Sequence, residues 1–332
     1  MNQIMERKLT VALDAVKTAS QLVKRIQNEI VLNAIDKEDH SPVTVADFAS
    51  QAVISHILQE SLGELCLVGE ENSVNLKRDP EKTALTQITQ YVNSVFPDTN
   101  ADTVCDWIDY GNADPANTYW TVDPIDGTKG FLRGDQYAVA LAYVEEGQVK
   151  IGVLGCPNLS NAATPDKTGQ GSLVFAVRNE GCYFLPLDLP MDLDQKKQIY
   201  VSSNESFKEC SLLRSFETGH TDADKINQIA ANLGMTNDPI RMDSQAKYAL
   251  LAGGKGEIIL RLLSPKRPDY KEKIWDQAAG AIILEEAGGK ITDLNGTPLD
   301  FTQGRTLVKN TGVLATNGLV HDKIVKALIS SN

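Results

Sequence analysis

Two aspartates three residues apart stand in the run Trp120-Thr-Val-Asp123-Pro-Ile-Asp126-Gly-Thr128, on a turn constrained by Pro124 and Gly127 directly after a strand-like stretch. Such a turn can aim both carboxylates at one point. Hard divalent cations take oxygen ligands in tight octahedral geometry and keep several waters, so one or two carboxylates per ion suffice. The carbonyl of Ile125, between the two acids, is a further oxygen donor. Taken alone, the spacing is better explained by aspartates that hydrogen-bond a turn, so the company it keeps has to decide.

Three other acidic places supply that company. Val68-Gly-Glu70-Glu71-Asn72 sets two acids at the carboxyl end of an expected strand, where open α/β sheets place ligands. Trp275-Asp276-Gln-Ala-Ala-Gly280 sets an aspartate in the expected first turn of a helix whose small residues allow close packing; attraction to the helix dipole is the plain alternative. Asp47 follows Thr44 by three residues, the spacing of a capping box.

Among the cations, Lys247 and Arg261 could meet an anionic group as a point charge and a planar fork, or be a helix-surface lysine and a strand-edge arginine. His220, one of four histidines, could touch a ligand or simply precede the helix expected from 222. Gly253-Gly-Lys-Gly256 precedes a strand instead of opening a helix, so it reads as a turn and not as a phosphate-cradling loop. Cys156 reads as a packed thiol.

The elements that must position these groups follow from periodicity. Leu9, Val16, Leu22, Val23, Ile26 and Ile30 recur at helical spacing, which predicts one amphipathic helix over 5–33, closed by the polar stretch Asp36 to Pro42. A second helix is expected from Thr44 to Leu62, then a short buried strand at 65–68. Residues 98–117, rich in Asp, Asn, Gly and Pro, read as a surface excursion. Strands at 119–122, 137–145, 149–156, 173–179 and 182–187, joined by Gly-containing turns, predict an antiparallel meander.

After a strand at 199–203 the pattern alternates: helix 222–233, helix 245–252, strand 257–262, helix 275–287, strand 289–293 and a last helix from Leu319. The basic loop 264–271 reads as solvated. A boundary near 195 divides the chain into an N-terminal α+β part, 1–195, and a C-terminal α/β part, 196–332.

Composition narrows the partners. With 332 residues, 42% of them hydrophobic and 23% charged, the chain sits near the globular average. The 44 acidic residues against 32 basic ones give a formal charge of −12, which argues against a nucleic-acid-binding surface. No window approaches the roughly 20 apolar residues that span a bilayer, and the N-terminus lacks a signal-like apolar run. A cytoplasmic protein with no membrane contact and no obligate protein partner is expected. The five scattered cysteines read as reduced thiols.

Taken together and in order, Glu70 with Glu71, the Trp120–Thr128 run and Trp275–Gly280 resemble the magnesium-dependent, lithium-sensitive phosphatases of the inositol monophosphatase superfamily. The likeness runs from about residue 8 to 300. Ser41-Pro-Val-Thr-Val-Ala-Asp47, Lys129-Gly-Phe-Leu-Arg-Gly134, Asp243-Ser-Gln-Ala-Lys-Tyr248 and Glu272-Lys-Ile-Trp-Asp276 resemble its 3′(2′),5′-bisphosphate nucleotidase branch, which removes the 3′-phosphate of adenosine 3′,5′-bisphosphate to give AMP.

The resemblance implies a layered α-β-α-β-α sandwich with a large, mostly antiparallel N-terminal sheet and a smaller mixed C-terminal one. It implies two or three Mg²⁺: Glu70, Asp123 and the Ile125 carbonyl on one, Asp123, Asp126 and Asp276 on another, and a third near Glu70. Asp47 and Thr128 would activate the attacking water. His220, Ser244, Lys247 and Arg261, with Thr128 and Asp276, would surround a small nucleotide bisphosphate, with action on 3′-phosphoadenosine 5′-phosphosulfate and a link to sulfate activation also implied. The alternatives are an inositol (poly)phosphate 1-phosphatase, which the last four runs speak against, and a non-catalytic nucleotide sensor, which the complete set of metal carboxylates speaks against. One departure stands out: after His220 the family continues with a serine-rich stretch and a second histidine, whereas this chain has Thr221-Asp222-Ala223-Asp224.

Overall fold

The computed structural model describes residues 2–33, 42–76, 82–216 and 221–330. In the first part of the chain these form α1 (Gln3–Asn33), α2 (Pro42–Leu62), β1 (Leu67–Gly69), α3 (Lys82–Asn93), α4 (Ala101–Asp109), β2 (Thr118–Asp126) and α5 (Thr128–Leu132). The meander follows as β3 (Ala138–Glu145), β4 (Gln148–Cys156), a small hairpin of β5 (Leu159–Ser160) and β6 (Thr164–Pro165), β7 (Ser172–Val177), β8 (Gly181–Pro186) and β9 (Lys197–Gln198). The rest comprises β10 (Leu212–Arg214), α6 (Ala223–Asn232), β11 (Ile240–Arg241), α7 (Ala246–Ala252), β12 (Ile258–Arg261), α8 (Ala278–Glu286), β13 (Lys290–Thr292), β14 (Val313–Thr316) and α9 (His321–Ser330).

Strands β1-β2-β3-β4-β7-β8-β9 make one sheet, parallel only between β1 and β2. A second sheet has the order β11-β10-β12-β14-β13, with β10 parallel to both its neighbours and the other pairs antiparallel. Strand alternation divides the core into three clusters. Val139, Leu141 and Tyr143 of β3 join the buried faces of α1 and α2, whereas Ala138, Ala140 and Ala142 join α7 and α8 in the middle layer. Those small side chains let α8 lie close on the sheet: a Cβ added at Gly152 of β4 would stand 2.8 Å from the Ala279 carbonyl oxygen. A third cluster lies between the second sheet and α6 and α9. The layers run helix, sheet, helix, sheet, helix.

Several expectations are corrected. Residues 101–109 form a helix, not an excursion: Asn100 caps it by accepting from the Thr103 N–H at 2.9 Å, and Val104, Cys105 and Ile108 bury its inner face. Asp47 does not close a capping box, because α2 already runs from Pro42 and holds Thr44 inside it. Residues 199–203 are a crossover and not a strand; the Ile199 N–H bonds Cys182 in the first sheet and the Val201 N–H bonds Ala287 at the end of α8. The helix expected from 275 starts at Ala278, so Asp276 sits in the turn ahead of it. Helix α3 and strands β10, β11 and β14 went unread in the sequence. The expected end of α1 at 36–42 falls largely outside the described residues.

Candidate active site

The register of β2 against β3 explains the aim of the two aspartates. Pairing is regular from Thr118↔Glu145 to Asp123↔Ala140, and then Asp126 pairs with Ala138, so three steps on β2 answer two on β3. Residues an odd number apart on a regular strand point to opposite faces; the bulge's extra residue resets the alternation. Pro124 is tolerated at that bulge because it can give no ladder bond, and Ser50 on α2 donates its hydroxyl to the Pro124 carbonyl at 2.9 Å. Gly127 then turns at φ +90° to open α5 with Thr128.

Around this turn the acids are crowded: Asp47 and Asp123 are buried, Glu71, Asp126 and Asp276 are half-buried at the edge of the cleft, and Glu70 keeps contact with solvent. Asp123 is held well above the carboxylate range by burial and then by Glu70, Asp126, Asp276 and Asp47. Burial followed by Asp126 does the same to Asp276, and burial followed by Glu71 and Glu70 to Asp47. Glu70 and Asp126 are raised chiefly by burial, and burial with Glu70 lifts Glu71 to about 7. Asp123 Oδ1 is buried with no hydrogen-bond partner. A buried carboxylate oxygen in that state is costly unless a cation or donor meets it. The donor set is all hard oxygen, so these residues fit a Mg²⁺-like dication. Among the described residues no three His, Cys, Asp or Glu side chains are drawn together into a finished metal cluster.

From the Asp126 end a cleft of about 350 Å³ opens over the second sheet, and Asp126, Thr128, Ser244, Lys247, Arg261 and Asp276 all lie on its walls. Lys247 is buried, and its ammonium donates to Ser244 O at 2.8 Å and to Ser215 Oγ at 3.3 Å. Burial pushes it down to about 8 against the opposing pull of Asp126. Arg261 pairs with buried Glu272 at 3.0 Å; burial lowers its pKa, but Glu272 and Asp276 raise it further. Ser244 holds a left-handed backbone, φ +69°, strain of the kind that collects at functional sites.

Asp47, Glu70, Asp123 and Ile125 are not on the cleft wall; the three acids reach it through the charge coupling just described. No hydrogen bond joins Thr128 to Asp47 among the described residues, and Thr128 is exposed at the head of α5. His220 lies outside the described residues. The loop 264–271 is not wholly solvated, since Tyr270 turns into the cleft.

The family model described as the inositol monophosphatase family matches residues 5–330. The chain belongs to the inositol monophosphatase family. Among curated relatives, 3′(2′),5′-bisphosphate nucleotidase 1 of Candida albicans is 38% identical over 97% of this chain and 95% of its own length. The 3′(2′),5′-bisphosphate nucleotidase of Oryza sativa is 40% identical over 96% and 93%. In fold the chain is similar to CysQ from Bacteroides thetaiotaomicron, with a TM-score of 0.64 at 20% identity over 95% of this chain and 98% of that one. It is likewise similar to the inositol monophosphatase from Anabaena, with a TM-score of 0.62 at 21% identity over 99% and 97%.

The sequence reading missed the residues that brace this candidate site. Gln51, fully buried on α2, holds the Glu70-Glu71 segment: its Oε1 accepts from the Glu71 N–H at 3.0 Å, and its Nε2 donates to Glu71 O at 2.7 Å and to Ile108 O of α4 at 2.9 Å. Asp109 of α4 takes the N–H and hydroxyl of Ser73 beyond it. Arg133 and Asp243, from two of the branch-like runs, form an ion pair that ties α5 to the approach to α7. The acid of a third run, Glu272, anchors Arg261 and also accepts from Gln277 Nε2 at 2.9 Å.

Proposed function

We propose that the protein is a Mg²⁺-dependent 3′(2′),5′-bisphosphate nucleotidase that hydrolyses the 3′-phosphate of adenosine 3′,5′-bisphosphate to AMP and phosphate, and also accepts 3′-phosphoadenosine 5′-phosphosulfate. The observation that carries this reading is one cleft lined both by carboxylates, Asp126 and Asp276, and by the cations Lys247 and Arg261. A small molecule with two phosphates, one suited to metal-loaded carboxylates and one to the cations, matches that lining. Relatives of that name at 38–40% identity over nearly the whole chain support the same substrate.

In this reading Glu70, Asp123 and the Ile125 carbonyl would hold one Mg²⁺, Asp123, Asp126 and Asp276 would hold a second, and a third would lie near Glu70. When bound, the ions would offset phosphoryl charge and acidify water. The chain's own residues do the rest. Thr128 Oγ would accept a hydrogen bond from the attacking water and, once turned toward Asp47, donate to that carboxylate, which would take up the proton; a buried carboxyl with a raised pKa suits that task. Lys247 and Arg261 hold the 5′-phosphate, so that the 3′-phosphate lies in line with the water. Ser244 and His220 belong to the nucleotide's surroundings, as does Asp276 from its turn ahead of α8. None of the five cysteines is in a disulfide, which suits a reducing cytoplasm, where we place the protein.

A substrate panel tests the reading. With Mg²⁺ the protein should release phosphate from adenosine 3′,5′-bisphosphate and from the phosphosulfate, and lithium should inhibit both reactions. Turnover of inositol 1-phosphate or inositol 1,4-bisphosphate with the nucleotides left intact would overturn it.

A further inference from the structure

Arg214 ends β10, where the cleft passes over the carboxyl ends of the parallel strands β10 and β12. Its side chain is nine-tenths buried. Among the described residues its only side-chain hydrogen bond runs from Nη1 to Asn227 Oδ1 of α6, at 2.6 Å, and no carboxylate pairs with it. The charge that acts on it is another cation, Arg241. Three other basic groups of this region have acids: Arg261 has Glu272, Arg133 has Asp243, and Lys247 feels Asp126 and Asp243. A buried guanidinium without counter-charge is expensive, and a fold that keeps one beside a substrate cleft has left the counter-charge to a ligand.

Position says which part of a ligand. Leu213 and Ile259 face the middle layer, whereas Leu212, Ile258 and Leu260 face the outer one. Arg214, two residues after Leu212, therefore shares the outer face with Ile226 and Leu260, which also line the cleft, while Arg261 stands on the inner face. Lys247 Nζ reaches Ser215, the residue next to Arg214. The cationic lining of the cleft thus continues from Arg261 and Lys247, past Ser215, to Arg214.

We propose that Arg214 forms a second anion subsite, which takes the outer tetrahedral oxyanion of a nucleotide whose 5′ substituent carries two anionic groups, the inner phosphate lying at Lys247 and Arg261. This deepens the nucleotidase reading and rests on it for the placement of the inner phosphate. A guanidinium offers donors only, in a planar fork that matches two oxygens of a phosphoryl or sulfuryl group. A 5′-monophosphate leaves that fork unmet.

The test uses AMP, ADP and adenosine 5′-phosphosulfate, which lack the scissile 3′-phosphate, in isothermal titrations of the full chain with Mg²⁺. The wild type should bind ADP, the phosphosulfate or both more tightly than AMP by about tenfold, the worth of one charged hydrogen-bonded contact. A preference for one of the two longer ligands identifies the oxyanion as phosphoryl or sulfuryl. Arg214→Met should abolish the advantage and Arg214→Lys keep part of it. The ratio of KM for 3′-phosphoadenosine 5′-phosphosulfate to KM for adenosine 3′,5′-bisphosphate should rise in Arg214→Met where the sulfuryl form is preferred. Loss of a buried, unpaired charge need not destabilise the fold, and a thermal melt checks that. Equal binding of all three ligands by the wild type, or an advantage that survives in Arg214→Met, would overturn the proposal. So would a loss shared equally by AMP, which would assign Arg214 to the base or ribose. An Arg214-dependent advantage in a protein that leaves adenosine 3′,5′-bisphosphate intact would uphold the subsite and sink the nucleotidase reading alone.

Discussion

The backbone N–H of Gln245 donates to Asp126 Oδ2 at 2.6 Å. The side chain of the same residue holds the turn that carries Asp276, since its Nε2 donates to Trp275 O at 2.9 Å and its Oε1 accepts from the Gly280 N–H at 3.1 Å. One buried residue at the head of α7 thereby sets the spacing of two acids that lie far apart in the chain.

Gln245→Ala keeps the backbone donor but releases Trp275 and Gly280. We expect the Mg²⁺ concentration for half-maximal rate to rise about tenfold, the usual cost of losing a group that orients a metal ligand, and direct Mn²⁺ binding to weaken alongside it. An unchanged metal requirement would mean that the Asp276 turn is held by other contacts.

Gly127 and Ser244 meet across the joint between the two parts of the site. A Cβ at Gly127 would stand 2.7 Å from Ser244 Cβ, and the φ of +90° is itself unfavourable for alanine. Gly127→Ala should destabilise the protein by about 1–3 kcal/mol, read as a lower urea midpoint, and should depress activity as well, since Thr128 follows directly. A midpoint equal to that of the wild type would show that the turn can relax.

Lys247 supplies a pH signature. Its pKa is pushed down from 10.5 to about 8, so it is charged at neutral pH and loses its charge as the pH rises through 8. Affinity for the anionic end of the substrate should be full near pH 6.5, and KM should climb above pH 8 by up to about tenfold per pH unit. In Lys247→Met, KM should be higher at neutral pH and flat across that range. A wild-type KM that is level from pH 7 to 9 would remove Lys247 from the phosphate contact.

Most of the architecture could be read from residue patterns, because α1 carries a clear helical period and the β3–β4–β7–β8 meander is a series of short apolar runs set off by glycine-containing turns. What escaped was short or overridden by context. Helix α4 hides between Asp- and Gly-rich flanks, although Val104 and Ile108 mark its buried face and Asn100 its start. Asp47 looked like a cap because three-residue spacing from Thr44 occurs inside helices as well as at their ends. The acids of the candidate site could be grouped in the sequence only through the family resemblance of the runs that carry them, since each run alone had a plain alternative. Their braces could not, because Gln51 and Gln245 act through backbone groups of distant segments, and no local pattern announces such contacts.

His321 gives a stability test away from the site. It is buried at the start of α9 between the hydroxyls of Thr292 and Thr316, at 2.9 and 3.0 Å, and burial followed by Lys290 pushes its pKa down to about 4. The unfolded chain takes up this proton near pH 6.5 and the folded chain does so only near 4. Its contribution is therefore full above 6.5 and is lost as the pH falls through that window, up to about 3 kcal/mol. The site acids, with raised values, act in the opposite sense, so the measurement is a difference: the stability of His321→Asn should fall less between pH 7 and 4.5 than that of the wild type. Parallel curves would contradict the assignment.

The orientation of the substrate is the central claim, and product identity tests it most directly. Adenosine 3′,5′-bisphosphate is incubated with the protein and Mg²⁺, and the nucleotide products are separated by chromatography. With the 3′-phosphate at the carboxylates and the 5′-phosphate at Lys247 and Arg261, the product should be adenosine 5′-monophosphate and free phosphate in equal amounts. Adenosine 3′-monophosphate as the product, or no phosphate at all, would contradict the account.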